Sequence, residues 1–178
     1  MSAALVEPAP VVLLPDAGPL ITLAYGQALD LLFKPGWSVR IVDRVLHEVT
    51  RHSTPSSDAI QNWVDAHSVS IMTTRTFQRF QAAQSRGGEV RKANLGELSI
   101  QEAMHDMALY EPEYVGVFLF EDYKIARASF MLPDNCRKVS TRAYLQFLEN
   151  KGWIQSAAEV EGAAISQGRR FSQLRFPK

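Results

Sequence analysis

Apolar positions along the chain fall into two kinds of segment. Short runs, mostly apolar and rich in β-branched and aromatic residues, occur at Val11–Pro15, Val39–Asp43, Val69–Met72, Val115–Phe120 and Arg137–Ser140. Runs of this kind suit strands buried on both faces of a parallel sheet. Longer segments with helical spacing lie between them. From Leu95 to Tyr110, the residues Ile100, Ala103, Met104, Met107 and Ala108 follow the i, i+3, i+4, i+7, i+8 pattern of a helix with one buried face. Helices are also predicted at Val45–Thr50, Asp58–Ala66, Phe77–Ser85, Tyr123–Met131 and Thr141–Asn150, with a looser one at Ser156–Ser166. Strand and helix alternating in this way predict an α/β domain with a mostly parallel, five-stranded sheet.

The length of 178 residues changes this picture little. It suits one domain, with a core over about 11–155 followed by a C-terminal helix and basic tail at 156–178. A lone cysteine, Cys136, excludes an internal disulfide framework and a cysteine-only zinc site, and the four histidines show no paired ligand spacing. Met1–Pro10 carries no basic residue of the kind that opens a signal peptide. The longest apolar runs fall far short of the roughly 20 residues that span a bilayer. The expectation is a soluble, cytoplasmic protein with no membrane partner.

Charge adds more. The 19 Lys and Arg balance 19 Asp and Glu, which argues against a binder that holds nucleic acid by bulk positive charge. The balance conceals segregation. From Arg75 to Lys92 there are five basic residues and one acid, whereas from Glu97 to Asp122 there are seven acids and no Lys or Arg. After Glu161 there is no acid, only Arg169, Arg170, Arg175 and Lys178. Solvated helix faces account for most charge runs. The acidic stretch differs because some of its carboxylates stand where α/β folds place their chemistry.

Open α/β sheets bind ligands beyond the carboxyl ends of their strands, at the switch in strand order. Asp16 follows the first predicted strand, and Glu121 and Asp122 follow the fourth. If those strands are neighbours, the acids face one another. Glu48 lies one turn into the helix after the second strand, and Glu97 opens the helix from Leu95. Each has a simpler reading: Asp16 and Asp122 as N-caps, Glu97 as part of a capping box with Asn94, Glu48 as an exposed helix residue. Four carboxylates gathered in one cleft would repel unless a cation compensated them, and an all-oxygen set favours Mg²⁺ or Mn²⁺. Phosphate-binding glycine loops, the dinucleotide fingerprint and the hydrolase elbow are all missing, and Gly18 stands where a haloacid dehalogenase would need its second Asp.

Several pieces of the chain, in order, resemble the PIN-domain proteins, the group that includes VapC-type toxin ribonucleases. They are Asp16-Ala17-Gly18-Pro19-Leu20-Ile21 with Leu29-Asp30-Leu31-Leu32, and Val42-Asp43-x-Val45-x-x-Glu48-Val49. Leu95-Gly96-Glu97, Phe120-Glu121-Asp122-Tyr123 with Ala126-Arg127, and Val139-Ser140-Thr141 complete the match over roughly residues 11 to 155. The resemblance implies a PIN-like three-layer fold. It implies a metal site with Asp16, Glu48, Glu97 and Asp122 as its acids, Glu121 assisting, and Mg²⁺ or Mn²⁺ as the cofactor.

The implied activity is metal-assisted hydrolysis of phosphodiester bonds in RNA, with a hydroxyl of Thr141 or Ser140 near the site. An acidic site must be made accessible to a polyanion, and Arg75, Arg79, Arg86, Arg91 and Lys92 are candidates to line the approach. Arg127 is placed to contact a phosphate or to pair with a site carboxylate. The toxin group further implies a small antitoxin protein as neutralising partner, and a homodimer. The alternative reading is a PIN-like module that binds nucleic acid or protein with weak or no catalysis.

Overall fold

A computed structural model describes residues 8–87, 95–121 and 132–170. Five strands form its central sheet: β1 (Val11–Pro15), β2 (Ser38–Val42), β3 (Ser70–Met72), β4 (Val115–Phe120) and β5 (Cys136–Ser140). Their order across the sheet is β3-β2-β1-β4-β5, and every neighbouring pair is parallel. Each predicted strand boundary lies within one residue of the observed one. Short apolar runs between turn residues locate buried strands well, because such strands have both faces covered.

The described helices are α1 (Ala17–Tyr25), α2 (Asp43–Thr50), α3 (Pro55–His67), α4 (Arg75–Ser85), α5 (Leu95–Tyr110), α6 (Thr141–Asn150) and α7 (Ala157–Ser166), with a 3-10 turn at Leu29–Phe33. They cover the sheet to make a three-layer α/β fold. Val12, Leu13, Ile41, Phe118 and Leu119 are almost wholly buried within it. Helix α1 is not singled out by periodicity, because it is apolar on nearly every side, with seven of its nine residues buried. A helix hydrophobic all round leaves no 3.6-residue rhythm to read. The expected helix at Tyr123–Met131 lies outside the described residues. In α6, Tyr144, Leu145 and Leu148 belong to the core, and the Tyr144 hydroxyl donates to the Leu31 carbonyl at 2.8 Å.

The strand order carries the functional consequence. From β1 the chain steps outward to β2 and β3, then crosses to the opposite side of β1 for β4 and β5. The switch therefore falls between β1 and β4, where Pro15 pairs with Leu119 and the Asp16 amide donates to the Leu119 carbonyl at 2.9 Å. A crevice opens at the carboxyl ends of two such strands.

Local contacts fix the helices around it. Asp43 opens α2, and its carboxylate accepts hydrogen bonds from both the amide and the hydroxyl of Thr74, at 2.7 and 2.8 Å. Thr74 in turn caps α4 through the Phe77 amide. Glu102 of α5 accepts the amides of Arg75 and Thr76, the orphan donors of the first turn of α4. At the other side, Glu149 of α6 accepts the Ala157 amide at 2.6 Å, and Arg142 pairs with Glu161. These bonds set the direction in which α7 runs, and so where the chain after it arrives.

Candidate functional site

Asp16 stands at the N-cap position of α1 with extended backbone, yet its side chain makes no capping bond. It is only 4% exposed. The helix-cap reading of this residue therefore fails, and a buried carboxylate is left at the switch point. Beside it, at the end of β4, Glu121 is 5% exposed. The two strand ends thus bring two buried acids to one crevice, which their separation in sequence does not reveal.

Glu121 is held by neighbours that sequence reading did not single out. The Thr22 hydroxyl donates to Glu121 Oε1 at 2.8 Å. Arg169 donates from Nε to the Thr22 hydroxyl at 3.0 Å, and its Nη2 lies 3.7 Å from Glu121 Oε1. A buried carboxylate without such donors would be costly. Gly18 makes room for it: any side chain at 18 would collide with Glu121 Cγ. Signals for these residues existed in the sequence, in the glycine two positions after Asp16 and in the Gly168-Arg169 step after the last helix, but neither names its partner.

Arg169 reaches the crevice because α7 ends in a glycine turn. Gly168 takes a φ of +101°, a conformation that glycine adopts without strain, and the Arg169 amide donates back to the Ala164 carbonyl at 2.9 Å. The basic segment after Glu161 therefore docks on the domain through Arg169.

The other two acids gather separately. Glu48 and Glu97 are exposed, on α2 and on the first turn of α5. A Cβ on Gly96 would lie 3.6 Å from Glu48 Oε2, which places Glu48 against the start of α5, beside Glu97. Asp122, Arg91, Lys92 and Arg127 lie outside the described residues. Thr141 is 4% exposed, and its hydroxyl donates to the Phe120 carbonyl at 3.2 Å, so it ties α6 to the end of β4.

Carboxylate oxygens are the right donors for a hard divalent ion. Among the described residues, however, no three His, Cys, Asp or Glu side chains are close enough to hold one. The described acids form a buried pair and an exposed pair rather than a complete metal site.

Three other acids of the 97–122 stretch, Glu102, Asp106 and Glu111, have structural partners. Glu102 binds Arg75, Asp106 lies 3.7 Å from the same guanidinium, and Glu111 grips Arg40 through two bonds of 2.7 and 2.8 Å. Burial alone would raise the Glu102 carboxyl, but hydrogen bonds from Thr76 and Arg75 outweigh it and hold the group at about 2. Arg75 is thus a tie between α4 and α5 rather than a free lining residue for a polyanion. The segregated charge runs partly neutralise each other in three dimensions.

A groove of about 450 Å³ starts at this region. Tyr25 and Ile21 of α1, Glu48 at the end of α2, His52 in the following loop, and Arg169 with Arg170 line it. Glu48 of the exposed pair and Arg169, the partner of Glu121, both line this groove, so it adjoins the crevice.

Among the described residues no helix is long and apolar enough to cross a membrane. No protein-family model matches the chain, and no curated protein is detectably similar to it.

Proposed function

We propose that this protein is a metal-dependent endoribonuclease of PIN-like type that hydrolyses phosphodiester bonds in RNA. The observation that supports this reading most is Asp16, a buried carboxylate at the β1/β4 switch point that does not cap its helix. A structural Asp in that position would be expected to bond the first turn of α1.

Asp16, Glu97 and the neighbouring Asp122 are the proposed holders of Mg²⁺ or Mn²⁺, with Glu48 supporting Glu97 from α2. Such an ion, when bound, lowers the pKa of a water and offsets charge on the scissile phosphate. The chain's own part is to place and shield these acids. Thr22 and Arg169 hold Glu121 in place at the floor of the crevice, while Gly18 leaves it the space. Arg169 also lessens the negative field that a polyanion meets on approach.

The test is cleavage of single-stranded RNA by the purified protein with Mg²⁺ or Mn²⁺, with and without EDTA. Cleavage that survives EDTA, or equal cleavage by Asp16→Ala, overturns the proposal. In the same reading the protein is cytoplasmic, forms a homodimer and is the toxin of a pair neutralised by a small antitoxin protein.

One observation favours the second reading, a binding module with weak or no catalysis. The described acids do not assemble a three-ligand group, and Glu121 is engaged by an internal cation. That reading predicts RNA or protein binding that is indifferent to EDTA, with no cleavage under any metal.

A further inference from the structure

The groove beside the crevice has two unlike sides. Tyr25, half-buried at the end of α1, and Ile21 supply an aromatic and aliphatic floor. His52 and Arg170, both exposed, supply a basic rim, and Glu48 is the one acid among the lining residues. Its volume lies within the range of about 300–1,000 Å³ found for small-ligand sites.

The groove is built rather than incidental. Gly168, with its φ of +101°, shapes the turn after α7, and that turn lies against the Tyr25 ring: a Cβ at 168 would stand 3.9 Å from Tyr25 Cε1. Arg169 then turns inward to Thr22 and Glu121, leaving Arg170, the next residue, outside on the groove. On the opposite wall the His52 carbonyl accepts the Ser57 hydroxyl at 2.7 Å, which ties the His52 loop to the capping box of α3. The two basic side chains therefore come from separate segments of the chain and line one groove with the Tyr25 ring.

A ligand that fits must offer a flat apolar face and a negative group a short distance away. A free phosphate has no use for Tyr25, and an apolar peptide has no use for the basic rim. A nucleotide unit has both, and single strands are commonly held by a base stacked on an aromatic ring and a phosphate on basic side chains. We propose that this groove seats one nucleotide of a single-stranded nucleic acid, with its base on Tyr25 and its phosphate between Arg170 and His52. Its position next to the reacting bond rests on the nuclease reading; its capacity to bind does not. Stacking and phosphate contacts do not distinguish RNA from DNA, so the groove selects strandedness rather than sugar.

Binding is measured on the full chain in EDTA, by fluorescence anisotropy with a labelled single-stranded RNA, the matching DNA and the RNA duplex. Both single strands are expected to bind more tightly than the duplex. Tyr25→Ala and Arg170→Ala are each expected to weaken single-strand binding by ~5- to 100-fold, with Tyr25→Phe close to wild type. Arg170→Ala should also lower the salt dependence of log K by about 0.7, one phosphate contact on a single strand. The exposed position of Arg170 keeps this variant informative even if Tyr25→Ala fails to fold.

Binding within twofold of wild type in the Arg170→Ala variant, duplex binding equal to single-strand binding, or no binding by the wild type overturns the groove. Loss of binding in the variants of a protein that cleaves nothing would keep the groove and remove the nuclease. Metal-dependent cleavage with an unchanged KM in both variants would do the reverse.

Discussion

The Thr22 hydroxyl donates a 2.8 Å hydrogen bond to Glu121, joining the middle of α1 to the residue that follows β4. Arg169 completes the contact from the far end of the chain, bonding Thr22 at 3.0 Å and facing the same carboxylate oxygen at 3.7 Å. Removing a partner from a buried carboxylate exposes its desolvation cost, about 1–3 kcal/mol or more. Thr22→Val and Arg169→Ala are therefore each expected to lower stability by that order in urea denaturation. In a Glu121→Gln background the loss from Arg169→Ala should shrink, because the charge it answers is gone. Equal losses in both backgrounds would show that Arg169 acts through Thr22 and packing rather than through the charge of Glu121.

Gly18 is required by the same carboxylate. Gly18→Ala brings a methyl group into Glu121 Cγ, and the over-packing should cost ~1–3 kcal/mol. Glu121→Ala removes the obstructing atoms, so the double variant should be more stable than the sum of the single losses predicts. Thermal or urea melts of the four proteins in this cycle decide it.

Acid should loosen the α4/α5 junction. Glu102 is held at about 2 in the folded protein against its ordinary 4.5, so its contribution is complete above about pH 4.5 and is lost as pH falls towards 2. Glu102→Gln should reduce stability at neutral pH by on the order of 2 kcal/mol and flatten the stability profile between those values. A profile as steep as that of the wild type would assign the acid sensitivity to other groups.

Arg44 is 8% exposed, with its guanidinium 5.9 Å from the ring centres of both Phe77 and Phe80. Among the described residues its Nε and Nη1 have no hydrogen-bond partner. Stacking worth up to about 2 kcal/mol opposes the cost of a buried, under-bonded cation. Arg44→Met, which keeps the length and drops the charge, should fall within about 1 kcal/mol of wild type. Arg44→Lys should be worse than Arg44→Met, because a compact, strongly hydrated ammonium stacks poorly and suffers more from burial. The reverse order in denaturation would mean that the positive charge itself is needed there.

Under the nuclease reading, Asp16→Asn, which keeps the size of the side chain, should reduce metal-dependent RNA cleavage by at least about 100-fold while the protein stays folded. Its binding to single-stranded RNA in EDTA should match wild type or exceed it. A large drop in melting temperature would instead mark Asp16 as a structural residue.

The five strands, their parallel character and most helices could be read from the chain because burial on both faces leaves a local mark, a short apolar run or a 3.6-residue rhythm. The place of Asp16 directly after the first strand was equally legible. Helix α1 was not, since it is apolar all round. Asp43, read as the end of a strand, opens α2 and holds Thr74 thirty-one positions away. The acidic run that suggested one cluster divides in space: Glu102 and Glu111 serve helix and strand ties, while Asp16 and Glu121 meet at the crevice.

What the sequence by itself determined was the set of elements and the acids at their ends. Tertiary structure alone decided the neighbours. Glu121 lies 99 residues from Thr22, and Arg169 lies 147 residues from it, so no local pattern could couple them. Strand order sets the first pairing, and the docking of α7 on α1 sets the second. Both depend on how whole elements bury their apolar faces together. The zero net charge fits this account: opposite charges written in separate stretches are brought together only when the sheet and its helices close.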